Sequence, residues 1–92
     1  MFARVSSYRG DVDALTQGFN SVTEPLRHLG GLRGAYFLVD RASDRAMSVT
    51  LWETEDALKV SADQADQLRD NATRPSGASI ESVEIFEVVV TV

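Results

Sequence analysis

The sequence predicts an α+β fold in which a single antiparallel sheet carries two helices on one face. Four segments alternate apolar and polar residues with the period of two that is typical of a strand. Two other segments have apolar residues at spacings of three and four, as an amphipathic helix does. Their order along the chain is strand, helix, strand, strand, helix, strand, which is the βαββαβ order of the ferredoxin-like fold.

The first strand and the first helix are predicted from residues 2–29. Residues 2–8 alternate as a strand, and Asp11 stands where the N-cap of a helix is expected. The apolar stripe of this helix consists of Leu15, Phe19, Val22, Leu26 and Leu29. Because Pro25 lacks an amide hydrogen, we expect the helix to kink there or to restart with Pro25 in its first turn. Gly30 and Gly31 are expected to close it.

Residues 34–40 and 46–52 are predicted to form the second and third strands. The polar segment 41–45 is short enough for a hairpin, so the two strands should be antiparallel. Thr54 is the candidate N-cap of the second helix, which we expect to run to about Asp70. Its weaker stripe consists of Leu58, Ser61, Ala62, Ala65 and Leu68.

The end of the chain is predicted to be a loop followed by a long strand. Residues 71–79 combine Pro75, Gly77 and small polar residues, which is typical of a loop. Residues 80–92 include a β-branched run, and their length for one strand suggests that it bends or extends beyond its own sheet.

Alternation also assigns side chains to the two faces of the sheet. We expect the apolar sides of the strands, namely Ala3, Val5, Met47, Val49 and Leu51, to meet the helices. The opposite sides mix polar and aromatic groups as a ligand cavity often does, and they comprise Arg4, Ser6, Tyr8, Ser48, Thr50 and Trp52. The second strand can be assigned either way, and we place Tyr36 on the open face.

Two short motifs around the central hairpin indicate a family. Gly31 and Gly34 form a Gly-x-x-Gly pattern before the second strand, and the sequence from Trp52 to Ala57, WETEDA, leads from the third strand into the second helix. In these motifs the chain resembles the antibiotic-biosynthesis monooxygenase family of small dimeric α+β barrels. The order of elements agrees over nearly the whole chain, while the sequence support lies in residues 34–61. The resemblance implies a homodimer in which two open faces meet and the run at residues 88–90 is buried.

The resemblance implies a scaffold more firmly than a reaction, because this fold hosts oxygenases, haem-degrading enzymes, isomerases and proteins without known activity. The haem-degrading relatives typically have an Asn on the first strand, a second Trp on the second helix and a His near the end of that helix. Here the corresponding places hold Ser6 and Ser7, then residues 59–61, then residues 68–71. We therefore expect no haem turnover, and no cofactor at all.

Composition narrows the function further. Ninety-two residues fit one domain, residues 1–92. A net charge of -5 supplies no basic surface for nucleic acid, and the sequence has no cysteine for thiolate metal sites or Cys nucleophiles. No apolar run reaches the roughly 18 residues of a membrane span, and no secretory signal begins the chain. We expect no membrane partner and a cytoplasmic location. His28, the sole histidine, offers no metal-ligand spacing, so no metal is expected.

Four residues are candidates for contact with a small aromatic ligand, while no catalytic residue can be named. Trp52 matches the family's strand-to-helix junction, although packing against the second helix is the favoured interpretation. Tyr8 and Tyr36 could orient a hydroxyl group, and Arg4 could stabilise an enolate or phenolate. A dimer interface, where Tyr and Arg are also enriched, explains these three equally well.

Two functions fit these residues. The first is a cofactor-independent monooxygenase that acts on a small aromatic phenol or quinol, since such chemistry demands few catalytic side chains. The alternative is a non-catalytic dimeric barrel that binds a small apolar ligand. An isomerase or lactone-handling activity would need a positioned acid or base, and no residue stands out for that role.

Overall fold

The computed structural model describes all residues, Met1–Val92, and its elements follow the predicted order. They are β1 (Phe2–Arg9), α1 (Val12–Arg27), β2 (Leu32–Asp40), β3 (Arg45–Trp52), α2 (Glu55–Val60), α3 (Ala62–Thr73), a short 3-10 turn (Arg74–Ser76) and β4 (Ser79–Glu87). The four strands form one sheet in the order β2-β3-β1-β4, and every neighbouring pair is antiparallel. The helices pack on one face, so the ferredoxin-like α+β fold is confirmed.

Helix α1 begins as predicted but ends differently. The Asp11 carboxylate accepts hydrogen bonds from the amides of Asp13 and Ala14, which caps the first turn. Pro25 lies inside the last turn, and the helix runs past it to Arg27 without restarting. The predicted restart is therefore wrong. The helix loses only the backbone hydrogen bond that an amide at position 25 would have donated. The cost is small in the last turn, where the regular hydrogen-bond pattern ends.

The second predicted helix is divided into α2 and α3 at Ser61. The Thr54 hydroxyl caps α2 by accepting from the Ala57 amide, as predicted. The Ser61 hydroxyl then donates to the Leu58 carbonyl at 2.8 Å, which satisfies a carbonyl at the end of α2. The prediction of a single helix to about Asp70 is therefore wrong. The apolar stripe continues across this junction, so its spacing gives no sign of the break.

Residues 71–79 are largely helical rather than a loop. Helix α3 continues to Thr73, and the 3-10 turn extends to Ser76 before Gly77 takes a left-handed conformation with φ of 69°. The hydroxyls of Thr73 and Ser76 donate to carbonyls three or four residues earlier, which lets small polar residues remain in helical turns. No helix of the chain is long and apolar enough to cross a membrane.

The last strand is shorter than the predicted segment 80–92. β4 ends at Glu87, and the Val88 amide donates to the Met1 carbonyl at 2.8 Å. Beyond this point β1 has no further residues to pair with, because it begins at Phe2. The exposed fractions of Val89 and Val90 are 81% and 75%.

The two faces of the sheet are reversed relative to the prediction. The side of β1 that bears Arg4, Ser6 and Tyr8 faces the helices, and all three residues are buried. Tyr8 belongs to the main core, where its ring meets the edge of the Phe19 ring of α1 at a centroid distance of 5.3 Å. The partners of this side in β3, namely Ala46, Ser48, Thr50 and Trp52, also face the helices. Placing these residues on the open face is therefore wrong.

The open face of the sheet carries the alternate residues of each strand. Met47, Val49 and Leu51, which were expected to meet the helices, lie here with their β1 partners Ser7, Val5 and Ala3. Tyr36 is on the open face as predicted, beside Leu38. Tyr36, Leu38, Met47 and Phe86 are exposed. The prediction of the two faces failed because the polar side chains on the helix-facing side are satisfied by hydrogen bonds. Apolar side chains on the open face remain exposed.

The β2–β3 hairpin has a turn whose stability should depend on pH. The Ser43 hydroxyl and the Ala42 amide donate to the Asp40 carboxylate, and these bonds hold the pKa of Asp40 below its ordinary value. A carboxylate whose pKa falls on folding stabilises the protein above its unfolded pKa and loses this effect as the pH falls through the folded pKa.

We expect Asp40→Asn to lower the melting temperature at neutral pH and the difference from the wild type to shrink as the pH falls from about 5 toward 2. Thermal unfolding followed by circular dichroism at several pH values measures this. Asp70→Asn, at an exposed position of α3, is the control. A difference that stays constant over this pH range would show that the carboxylate charge is not what stabilises the turn.

Candidate functional site

A small cavity lies between the helices and the helix-facing side of the sheet. Its volume is about 40 Å³. By the usual measure of at least 10–15 Å³ for a water molecule, it has room for about three or four waters. We call it the sheet–helix cavity, and its lining residues come from three strands and two helices: Arg4, Ser6, Tyr8, Phe19, Val22, Leu26, Phe37, Ser48, Thr50, Ala65, Leu68, Arg69 and Ala72.

Arg4 is the most unusual residue of the lining, because its guanidinium is buried without an acidic partner. Its exposed fraction is 5%. Nη2 donates to the Leu58 carbonyl at 2.8 Å, and Cζ lies 5.4 Å from the ring centroid of Trp52. Nη1 is also buried and has no hydrogen-bond partner. A buried donor of this kind is costly, so it marks a place where an acceptor would be stabilised.

The surroundings of Arg4 disfavour its charge. Burial is the largest cause that lowers the pKa of Arg4, and the positive charge of Arg69 adds to it. Asp66 opposes these effects in part. No carboxylate contacts the Arg4 guanidinium, so an anion placed beside it would be stabilised.

Arg69 of α3 is a second guanidinium in the lining, and the sequence analysis did not single it out. Its Nε donates to the Ser6 hydroxyl at 3.1 Å, and its Nη1 donates to an Asp66 carboxylate oxygen at 2.7 Å. Only 9% of the Arg69 side chain is exposed. A signal was present, because Ala65, Leu68, Arg69 and Ala72 follow the i, i+3, i+4, i+7 pattern of one helix face.

The rest of the lining combines a polar pair with aromatic rings. The hydroxyls of Tyr8 and Ser48 are 2.8 Å apart and share a hydrogen bond. The rings of Phe19 and Phe37 stack at a centroid distance of 4.8 Å with an interplanar angle of 26°. The cavity therefore presents apolar walls with a few polar groups, which is the usual composition of a small-molecule site.

The four sequence-predicted candidates do not converge on one cavity. Arg4 and Tyr8 both line the sheet–helix cavity. Trp52 is fully buried, and its indole Nε1 donates to the Thr50 hydroxyl at 2.9 Å. It lies against Arg4 rather than in the lining. Tyr36 is on the opposite face of the sheet, with an exposed fraction of 62%.

A larger concavity lies at the hairpin end of the sheet. This groove has a volume of about 420 Å³, and Ser7, Leu38 and Met47 of the open face are among its lining residues. Its charged side chains already have partners: Arg9 pairs with Glu81 at 2.8 Å, and Arg45 pairs with Asp40 at 3.9 Å. This groove is larger than the sheet–helix cavity, but it contains no buried polar side-chain group that lacks a partner. We regard the sheet–helix cavity as the better candidate for a specific site.

Sequence comparison with known proteins gives distant relatives. No family model matches the chain. The uncharacterized proteins Rv2557 and MT2634 of two Mycobacterium tuberculosis strains are 27% identical to it over 92 residues. This match includes 96% of the chain but 41% of each relative, so the chain spans about two fifths of the length of the curated relatives it matches.

Structural comparison is more informative. A crystal structure from Deinococcus radiodurans, assigned by name to the antibiotic biosynthesis monooxygenases, superimposes with a TM-score of 0.76 over 100% of this chain and 96% of its own, at 11% identity. The chain has the fold of the antibiotic biosynthesis monooxygenases. The resemblance seen in the sequence is thereby confirmed at the level of the fold.

Two further proteins share this monooxygenase fold. SnoaB, a cofactor-independent oxygenase from Streptomyces nogalater, has a TM-score of 0.77 at 16% identity, over 98% of this chain and 94% of its own. The haem degrader MhuD from Mycobacterium tuberculosis has a TM-score of 0.76 at 22% identity, over 100% of this chain and 99% of its own. The fold therefore serves proteins of different chemistry.

The residues present in this chain do not fit a haem. MhuD is described with two haems bound in its active site, whereas the sheet–helix cavity has a volume of about 40 Å³. Its lining contains no histidine, and His28 lies outside at the end of α1 with a side chain that is 75% exposed. The one phenol in the lining, Tyr8, is engaged with Ser48. No group of three or more acidic or histidine side chains is arranged to hold a metal ion.

Proposed function

We propose that this chain belongs to the antibiotic biosynthesis monooxygenase family and acts as a cofactor-independent monooxygenase on a small aromatic phenol or quinol bound in the sheet–helix cavity. The observation that carries this proposal is the buried Arg4 Nη1, which has no partner and belongs to the cavity lining. The shared fold with an oxygenase that needs no cofactor supports the reaction type.

Arg4 supplies the electrostatics that such a reaction needs. A phenol ordinarily ionises near pH 10, and a neighbouring buried cation lowers that pKa because it favours the anion. A phenolate oxygen within reach of Nη1 would accept the hydrogen bond that the protein leaves unmade. The phenolate is more electron-rich than the phenol, and it is this form that would react with dioxygen.

The proposed reaction balances without a cofactor. A phenol and dioxygen give a para-quinone and water. One oxygen atom enters the ring carbon opposite the hydroxyl, while the hydrogen of that carbon and the hydroxyl hydrogen leave in the water molecule. The substrate itself supplies the four electrons that reduce dioxygen. The protein binds and orients the ring, holds the anion beside Arg4 and keeps water away.

An aromatic ring needs more room than the cavity has in this structure. Ligand pockets usually have volumes of about 300–1,000 Å³, so side chains must move when the ring binds. Phe37 and Leu68 are two of the three half-buried apolar residues packed against the main core, and both line the cavity. We infer that these two side chains open it.

Oxygen uptake tests the proposal. A panel of phenols with a hydrogen on the carbon opposite the hydroxyl is incubated with the protein, and dioxygen consumption and quinone absorbance are recorded. We expect turnover by the wild type and its loss in Arg4→Met, which keeps an unbranched side chain but removes the charge. Arg33→Met is the matched control, because Arg33 is an exposed arginine of β2 whose guanidinium pairs with Glu53. Equal turnover by Arg4→Met and wild type would contradict the proposal.

The alternative function, non-catalytic binding of a small apolar ligand, also has a specific observation in its favour. No aspartate, glutamate or histidine lines the sheet–helix cavity, so no side chain there is an ordinary general base. Binding of the phenol panel without oxygen uptake would favour this alternative. Isothermal titration under nitrogen measures the binding separately from the chemistry.

We also propose that the protein is a homodimer whose open faces meet. The open face exposes a row of large apolar side chains, with exposed fractions of 62% for Tyr36, 47% for Leu38 and 50% for Phe86. A patch of this kind is unusual on a monomer. A second copy, which presents the same patch, would cover it and would extend over Val89 and Val90 of the C-terminal segment.

We expect light scattering to give twice the chain mass of 10.1 kDa. Leu38→Lys should shift this mass toward the monomer, because dimerisation would then bury an unpaired charge on each copy. Val89→Lys should weaken the dimer for the same reason. Val60→Lys is the control, because Val60 is an equally apolar residue that is 84% exposed on α2, away from the open face. A monomer at micromolar concentration would contradict the dimer.

A cytoplasmic location stays a prediction from the sequence.

A further inference from the structure

The side chains that line the sheet–helix cavity carry positive charge and no negative charge. Two guanidinium groups, those of Arg4 and Arg69, line it, and no carboxylate does. Asp66 pairs with Arg69 from outside the lining and has a side chain that is 64% exposed. This local excess is notable in a chain whose net charge is -5.

Arg69 has donors left over after its protein contacts are made. Nε donates to Ser6 and Nη1 donates to Asp66, which leaves the Nη2 group without an acceptor in the protein and accessible to solvent. The side chain is more than nine-tenths buried. Its planar fork is fixed by the two bonds already made, so a carboxylate that reached Nη2 would meet a preorganised donor.

A ligand group that pairs with Arg69 as an anion should be ionised before it enters the cavity. No aspartate, glutamate or histidine lines the cavity to take a proton from the ligand. Carboxylic acids ionise near pH 4 and are anions at neutral pH in water, whereas a second phenol group would have to lose its proton on binding. A carboxylate therefore fits the Arg69 side of the cavity better than another hydroxyl.

We propose that the ligand of the sheet–helix cavity is a hydroxylated aromatic carboxylate, with its phenol oxygen beside Arg4 Nη1 and its carboxylate held by Arg69. The assignment of this ligand as a substrate rests on the proposed monooxygenase function. The binding preference for a carboxylate does not, because it follows from the two guanidinium groups and the absence of acidic residues in the lining.

Equilibrium binding under nitrogen tests the preference. The affinities of 3-hydroxybenzoate, which has a hydrogen on the carbon opposite its hydroxyl, and of its neutral analogue 3-hydroxybenzyl alcohol are measured by isothermal titration for the wild type, Arg69→Met and Asp66→Asn. We expect the wild type to bind the carboxylate about tenfold more tightly than the alcohol, as one charge-assisted hydrogen bond allows. The ratio should fall to about one in Arg69→Met. It should rise in Asp66→Asn, which removes the carboxylate that competes for Arg69.

Two controls keep the interpretation clear. Arg69→Gln retains a donor toward Ser6 and tests whether loss of the ratio comes from charge or from a disturbed α3, with circular dichroism reporting the fold. The affinity of the alcohol itself should be unchanged in all folded variants. A ratio near one in the wild type, or a ratio that survives Arg69→Met, would overturn the inference.

The failure of this inference can be told apart from the failure of the proposed function. Turnover of neutral phenols without any carboxylate preference would refute the inference and leave the monooxygenase proposal standing. A carboxylate preference that depends on Arg69, without oxygen uptake, would support the assignment of the binding groups and refute the monooxygenase proposal.

Discussion

Arg4→Met is expected to make the protein more stable, by about 1–2 kcal/mol in the free energy of unfolding. Taking a guanidinium out of water costs several kcal/mol, and Arg4 recovers only part of this through one hydrogen bond to the Leu58 carbonyl and its position over Trp52. Methionine fills similar space without a charge. The Leu58 carbonyl is not stranded, because the Ser61 hydroxyl also donates to it.

Urea unfolding at neutral pH measures this difference, and the melting temperature should rise by about 4–8 °C for each kcal/mol. Arg33→Met at the exposed end of β2 should stay within about 0.5 kcal/mol of the wild type. If Arg4→Met instead loses more than about 1 kcal/mol, Arg4 is retained to hold the end of α2. The unpartnered Nη1 would then no longer point to a ligand.

Gly18→Ala is expected to destabilise the protein by about 1–3 kcal/mol, or to prevent folding. A Cβ atom at Gly18 of α1 would lie 1.9 Å from the carbonyl oxygen of Ala72 in α3 and 2.9 Å from the carbonyl carbon. Both atoms belong to the backbone, so no side-chain rotation relieves the clash. The two helices must separate, and α3 supplies Ala65, Leu68, Arg69 and Ala72 to the cavity lining.

Gly30→Ala is the matched control for this variant, because nothing lies within 4 Å of a Cβ atom at Gly30. It should be neutral or slightly stabilising, since alanine has less conformational freedom than glycine in the unfolded chain. Chemical denaturation of both variants gives the comparison. Equal stability of the two would show that α1 and α3 can move apart at little cost.

The sequence predicts the order of the elements because each has a strong local signal. The caps at Asp11 and Thr54 are examples, since their side chains make the same bonds in the structure that their positions imply. The break at Ser61 and the helical turns through Ser76 have no such signal. They depend on hydroxyl groups that bond back to carbonyls, a property that small polar residues share with loops.

The faces of the sheet could not be read from alternation, because the more apolar side of β3, with Met47, Val49 and Leu51, is the open one. The buried side is decided by pairs that join distant parts of the chain, such as Tyr8 with Ser48 and Arg69 with Ser6. Such pairs become visible only when the register is known. Arg4 and Tyr8 were identified as candidates from their residue types. The second arginine of the cavity was not, because its bond to Ser6 joins distant parts of the chain.

The most direct measurement is a structure of a crystal of the protein soaked with 3-hydroxybenzoate under nitrogen. We expect ligand density in the sheet–helix cavity, with an oxygen of the ligand within hydrogen-bond distance of Arg4 Nη1 and with Phe37 and Leu68 displaced. Density on the open face, in the groove beside Leu38 and Met47, with the cavity unchanged and Arg4 Nη1 still unpartnered, would contradict it.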